Sequence, residues 1–172
     1  LEQHKMPGGL WRESFKFYSK VPGGRANRST LTWLFEDDNR LIKLLGCEHE
    51  GDEVNYDGMQ VSFLGFDQIE QFSAQQVFFI VSRLRSGSCE ARRKIRATAN
   101  PAPGWLADFL KAGGYVDADG WPVDAMDGVV RYYIRDERGK VVWRDTVVEF
   151  SDLLKTRRQD GSQGPDIIPT SF

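Results

Sequence analysis

The sequence predicts an α/β fold organised on a parallel sheet, with β-hairpins inserted into it or added at its edge. Residues 59 to 113 alternate β-prone and helical patterns in the order strand, helix, strand, helix. A parallel strand pair needs a crossover long enough to hold a helix, and this alternation supplies one. Two other segments set a polar turn between β-prone runs, the pattern of a hairpin. At 172 residues, 40% hydrophobic and 28% charged, the chain can bury the core of one ordinary domain.

Taken in order, LWRESFKFYS (Leu10 to Ser19) places apolar or aromatic residues at 10, 11, 15, 17 and 18, compatible with a short helix. The stretch VPGGRANRS reads as a break, through Pro22, Gly23 and Gly24. STLTWLFEDDNRLIKLLG then gives the first hairpin, turning at Glu36 to Asn39, where polar side chains suit backbone that faces water. A charged connection, CEHEGDEVNYDG, ends at Gly58. MQVSFLGFD, from Met59, is short, apolar and β-prone, so a buried strand ending at Asp67 is expected.

Ser73 is placed to cap a helix that starts at Ala74, with Phe78, Val81 and Leu84 at helical spacing and Arg83 and Arg85 in the last turn. A strand follows at Ile95 to Ala99, stopped by Pro101. Gly104 to Gly114 is a second helix, with Trp105, Leu106, Phe109 and Leu110 on one face and glycines as terminators. The Asp- and Gly-rich loop from Asp117 to Asp127 does not have EF-hand spacing. The second hairpin turns at Asp136 to Gly139 and sets Trp143 opposite Tyr132 and Tyr133. Residues 159–172 read as a polar linker and the start of a further element. With an opening at Leu1 rather than Met, that suggests an excised piece.

Charge and cysteine usage narrow the function classes. With 23 basic and 25 acidic side chains, net charge −2 and pI near 5.8, the chain has no overall attraction to nucleic acid, so any DNA contact is local. The densest basic stretch holds Arg83, Arg85, Arg92, Arg93, Lys94 and Arg96, a candidate for phosphate contacts, a subunit interface or a solvated surface. Cys47 and Cys89 lack CxxC spacing, and His49, amid Glu48, Glu50 and Asp52, has no second histidine nearby; no metal is assigned to either group. No apolar run approaches the roughly 20 residues that cross a bilayer and no leader opens the chain, so a soluble, intracellular protein is expected.

One constellation carries chemistry. An ionised Asp67 cannot remain inside the core and should emerge at the carboxyl edge of the sheet, where open α/β sheets bind ligands. VSFLGFD therefore fits a Walker B strand, whose Asp orders Mg²⁺ beside nucleotide phosphates. Gln68 and Glu70 follow, and Thr98, Ala99 and Asn100 end the next expected strand. If the strands are adjacent, these polar groups meet at one rim and can sense a terminal phosphate. A strand-ending Asp can also cap a helix or bind a loop amide, and Asn100 before Pro101 can simply form a turn.

At this point the fragments WRESFKFYSKVPGGRANRSTLTWLF, LLGCEHEGDEVNYDGMQVSFLGFDQIEQFS, VSRLRSG, KIRATANPAPGWLADFL and IIPTSF resemble, in that order, the ATPase domain of large terminase subunits from tailed phages and prophages. The resemblance covers nearly the whole chain. It implies that residues 1–158 are part of a three-layer P-loop NTPase-like domain that uses ATP and Mg²⁺. Such a domain pumps double-stranded DNA into a procapsid in the host cytoplasm, as a homo-oligomeric ring working with a portal and a small terminase subunit. By the same resemblance Asp67 matches the metal- and nucleotide-binding Walker B Asp, Thr98 to Asn100 match the coupling motif, and Ser82 to Ser86 match a stretch of the motor core.

Two departures from the family stand out. The family places a Glu directly after that Asp to orient or activate water, and this chain has Gln68; an amide positions water but takes no proton, which leaves Glu70 as the other candidate. The phosphate-binding Gly-x4-Gly-Lys-[Ser/Thr] is missing, since PGGRANRST has Pro22, Asn27 and Arg28 at the wrong places. Arg25 in that segment is a candidate arginine for a neighbouring subunit's site. The alternatives are a non-catalytic structural or assembly domain descended from such a motor, and a nuclease-type metal enzyme, for which only Asp67 and Glu70 lie together.

Overall fold

The computed structural model describes residues 8–36, 40–85, 93–136, 138–150 and 168–170. They form a mixed α/β architecture of three α-helices and three small sheets, one of them a parallel pair, divided between two compact units, Leu1–Asp57 and Gly58–Phe172.

In the first unit, helix α1 (Leu10–Tyr18) precedes an antiparallel sheet of β1 (Gly24–Asn27), β2 (Thr32–Phe35) and β3 (Arg40–Lys43), in that order. The expected first hairpin is β2–β3; residues 37–39 of its turn lie outside the described residues. The expected break follows α1 at residues 19–23, and strand β1, which the sequence does not signal, begins directly after it. Gly24 allows a close approach: a Cβ there would lie 2.8 Å from the Tyr18 carbonyl oxygen and 3.3 Å from the Phe35 ring. Trp33 and Phe35 point to the same side of β2 and are buried with Trp11 and Leu31. Ser14 sits inside this aromatic group, its hydroxyl donating to the Trp11 carbonyl at 2.6 Å and accepting from Trp33 Nε1 at 2.9 Å. Both polar groups are thereby satisfied in the core.

The acidic run around His49 closes a loop. The Asp52 carboxylate accepts the backbone N–H of His49 at 2.8 Å and of Glu48 at 2.9 Å, which holds its pKa below the usual value. It opens a 3₁₀ turn, Asp52–Tyr56, whose Tyr56 hydroxyl donates to the Gly46 carbonyl at 3.1 Å.

In the second unit, β4 (Phe63–Phe66) and β5 (Lys94–Ala97) pair in parallel, from Phe63 opposite Lys94 to Phe66 opposite Ala97. Helix α2 (Ala74–Val81) lies between them in the chain, as the crossover requires. A capping box starts α2: Gln76 N–H donates to Ser73 Oγ at 3.2 Å, and Gln76 Oε1 accepts from Ser73 N–H at 2.9 Å. Two expectations are corrected. The pair is not buried on both faces, for Phe66 is buried while Phe63 is 56% exposed. Arg83 and Arg85 fall beyond α2, because Ser82 Oγ turns back to the Phe79 carbonyl at 2.6 Å and Leu84 leaves to form a parallel bridge with Val61. Arg92 and Cys89 lie outside the described residues.

Helix α3 (Trp105–Ala112) is followed by the hairpin of β6 (Arg131–Arg135) and β7 (Val141–Arg144). Asp136 shapes the turn by accepting the N–H of Arg138 at 2.9 Å and of Lys140 at 2.8 Å. Strand β8 (Ile168–Thr170) pairs with β6 on its other side, giving the order β7-β6-β8. Residues 151–167, with the polar stretch expected to be a linker, lie outside the described residues. Tyr115, Tyr133 and Trp143 form the buried centre, with Phe78, Phe109 and Leu110 against them. Tyr133 and Trp143 are direct cross-strand partners, as the sequence suggests, with ring centroids 5.2 Å apart. Gly113 is where α3 meets this cluster, since a Cβ there would lie 2.9 Å from the Tyr115 ring and 3.0 Å from Trp143. Among the described residues, no helix is long and apolar enough to cross a membrane.

Burial pushes the Tyr133 hydroxyl up to about 12. The fold therefore favours the neutral phenol. The associated stability is fully present below the unfolded value near ~10 and is lost as pH rises through about 12, by about 2–3 kcal/mol. Denaturant melts of the wild type and of Tyr133→Phe across this window are expected to differ in slope, with the variant's second unit losing less. Tyr56, also raised to about 12 by burial, leaves a residual slope in both proteins.

Candidate functional site

The carboxyl ends of β4 and β5 bring together the polar residues that the sequence singles out, and Thr98 organises them. The Thr98 N–H donates to the Phe66 carbonyl at 3.0 Å, and its carbonyl accepts the Ile69 N–H at 2.9 Å. Its hydroxyl donates to Asp67 Oδ1 at 2.8 Å and accepts the Gln68 N–H at 3.0 Å. One residue at the end of β5 thus fixes four successive residues of the other chain segment. Asp67 is exposed, and its Oδ2 has no hydrogen-bond partner among the described residues.

Gln68 adopts a left-handed backbone, φ 55° and ψ 58°, which costs a non-glycine residue about 1 kcal/mol. That turn leads into a 3₁₀ segment, Ile69–Gln71, in which Ile69 is buried. The Gln68 side chain is engaged locally, its Oε1 accepting from Gln71 Nε2 at 2.6 Å. Reversal of the chain lets Glu70 reach the next strand end, where its Oε1 accepts from Asn100 Nδ2 at 3.1 Å. Glu70 Oε2 is shielded from solvent and receives no donor from any described residue. Trp105 fixes the segment from behind, its Nε1 donating to the Phe72 carbonyl at 2.6 Å.

Asp67, Gln68, Glu70, Thr98 and Asn100 are therefore close neighbours, in two cross-strand links, Asp67 to Thr98 and Glu70 to Asn100. Arg25 belongs to the other unit. It is an exposed residue of β1, and its Nη2 lies 3.1 Å from Glu36 Oε2. An exposed pair of that kind contributes about 0–1 kcal/mol.

Among the described residues no three His, Cys, Asp or Glu side chains converge on one point. That donor set is too poor for a cation held by protein alone. It does fit Mg²⁺, which keeps much of its water and takes one or two carboxylates together with substrate phosphates. Oδ2 of Asp67, without a hydrogen-bond partner among the described residues while Thr98 holds Oδ1, is the atom that would fit. A nucleotide has less to hold it, because the 172 residues contain no Gly-rich phosphate loop with its Lys.

The left-handed turn at Gln68 and its bond to Gln71 are not foreshadowed in the sequence, since Gln, unlike Gly, Asn or Asp, gives no signal for positive φ. The Thr98 hydroxyl is expected to contribute about 1 kcal/mol. Thr98→Val should lower the denaturation free energy by about that amount, and Thr98→Ser should restore most of it. Equal stability of Val, Ser and Thr at 98 would show that the hydroxyl bridge contributes nothing.

Comparison with family models, with curated proteins and with solved structures finds no match to this chain.

Proposed function

We propose that this chain is part of an ATP-hydrolysing motor of the three-layer P-loop class that drives double-stranded DNA into viral procapsids in the host cytoplasm. The observation that supports it best is the Thr98–Asp67 hydrogen bond at the carboxyl ends of two adjacent parallel strands. This puts a solvent-facing carboxylate, held in a fixed orientation, at the edge where open α/β sheets bind ligands. The ordered resemblance of the sequence fragments to terminase large subunits supplies the substrate class, the expected ring and the portal and small-subunit partners.

On this reading, Mg²⁺ supplies charge neutralisation for nucleotide phosphates beside Asp67. Thr98 holds Asp67 in register. Because the same hydroxyl accepts the Gln68 N–H, a change at the phosphate end is carried into the β4–β5 connection. This reading requires a phosphate-binding loop that the 172 residues do not contain.

A second reading, a non-catalytic structural or assembly domain derived from such a motor, gains support from Gln68, whose amide takes no proton and is engaged with Gln71. One experiment separates the two. A polypeptide that extends this chain through a phosphate-binding loop is assayed for Mg²⁺-dependent ATP turnover, with and without duplex DNA. The motor reading expects DNA-stimulated turnover that falls about 100-fold or more in Asp67→Asn. Nucleotide binding and turnover absent from the extended wild type would leave the structural role as the better account.

A further inference from the structure

We propose that the chain binds copies of itself head to tail, the loop that carries Trp121 on one copy entering an aromatic and basic cavity beside α1 on the next. This contact does not depend on the motor reading. Its two halves are separate surfaces of one chain.

The entering surface belongs to the second unit. Trp121 is 71% exposed. Its backbone is nevertheless braced: its N–H donates to Asp117 Oδ1 at 2.9 Å and its carbonyl accepts the Asp117 N–H at 2.9 Å. Asp117 Oδ1 also accepts the Asp119 N–H at 2.9 Å, and Lys111 Nζ donates to the Ala118 carbonyl at 2.9 Å. The Val123 N–H donates to the carbonyl of Tyr115 at 3.0 Å, which ties the loop to a residue of the buried aromatic centre. An indole with few rotamers on a held backbone loses little freedom on docking. Asp119, Asp124 and Asp127 flank it in the chain, all exposed, and no basic residue lies between Lys111 and Arg131. Among the described residues these three carboxylates have no ion-pair partner. Such a loop is repelled by phosphodiester and by anionic lipid, and is matched by a basic protein surface with room for a ring.

The receiving surface belongs to the first unit. An open cavity of about 850 Å³ beside α1 is lined by Trp11 and Phe15 and by Arg12, Lys16 and Arg28, with Glu13 as its one carboxylate. Glu13 is occupied by Lys16. Arg28 lies over the Phe15 ring, 5.4 Å from its centroid, and neither Arg12 nor Arg28 has a carboxylate partner among the described residues. Exposed guanidinium groups beside aromatic walls can stack on an indole and still reach the carboxylates that accompany it. Trp and Arg are also the side chains that most often anchor interfaces. Because the two surfaces differ, the contact is heterologous, and each copy that joins leaves one loop and one cavity open.

Sedimentation of the 172-residue chain tests this. The weight-average mass is expected to rise with concentration and to fall back as salt is raised from about 0.05 to about 0.5 M. Trp121→Ala and the double variant Arg12→Glu/Arg28→Glu alter exposed side chains, so their circular dichroism should match the wild type. Each variant alone is expected to weaken association by about 30-fold or more. Mixed, the two should form a one-to-one pair and nothing larger, because the loop of the arginine variant still fits the cavity of the tryptophan variant. If the charge reversal unfolds the first unit, Arg12→Gln/Arg28→Gln takes its place in the same mixture. A wild type that is monomeric at about 1 mM would overturn the contact, as would association that neither variant weakens. Folded variants that are each monomeric and form no pair on mixing would overturn the head-to-tail arrangement.

Discussion

A parallel pair of four-residue strands is a weak foundation for a site, because parallel ladders hold less per residue than antiparallel ones and two strands bury little. Thr98 compensates at the end that matters. Its backbone extends the ladder by one rung on each side, to Phe66 and Ile69, while its hydroxyl bridges Asp67 and the Gln68 amide. The direction of the chain after β4 depends on this one residue. Without the hydroxyl, Asp67 is a free surface carboxylate and Gln68 has lost the acceptor that stabilises its unusual backbone.

From that constraint the rest of the rim follows. Ile69 is drawn into the core by its bond to the Thr98 carbonyl, so the chain must reverse within a residue of Asp67. The reversal is tight enough to require positive φ at Gln68. It also spends the Gln68 side chain on Gln71 and brings Glu70 to Asn100. The bond from Trp105 to the Phe72 carbonyl then ties the turn to α3, whose Phe109 lies 4.8 Å from Trp143 in the aromatic centre. The rim is thus tied to the aromatic centre at its base and polar at its edge.

Much of this was legible in the residues. Short apolar runs separated by a helical pattern implied a parallel pair, and the polar ends of those runs had to meet at one edge. That meeting was conditional on the two strands being neighbours; the register that sets Thr98 beside Asp67 comes from the pairing of Phe66 with Ala97. The Trp143–Tyr133 pair was legible from hairpin alternation. What stayed hidden depended on backbone torsion or on close approach. Strand β1 is masked by Pro22, Gly23 and Gly24, although Gly24 serves the contact with Tyr18 rather than a break. The end of α2 at Val81 is set by the Leu84–Val61 bridge, a long-range pairing that overrides the helical spacing of Leu84. The turn at Gln68 depends on a torsion sign that Gln does not advertise.

The two cross-strand links are chemically unequal, and the inequality bears on what they do. Asp67 is exposed, with its Oδ1 bound to the Thr98 hydroxyl. Glu70 is half-buried, with one oxygen on a neutral amide and the other enclosed without a donor. A carboxylate so placed gains from any donor that reaches it. Two carboxylates three residues apart are therefore set in different environments by one left-handed turn.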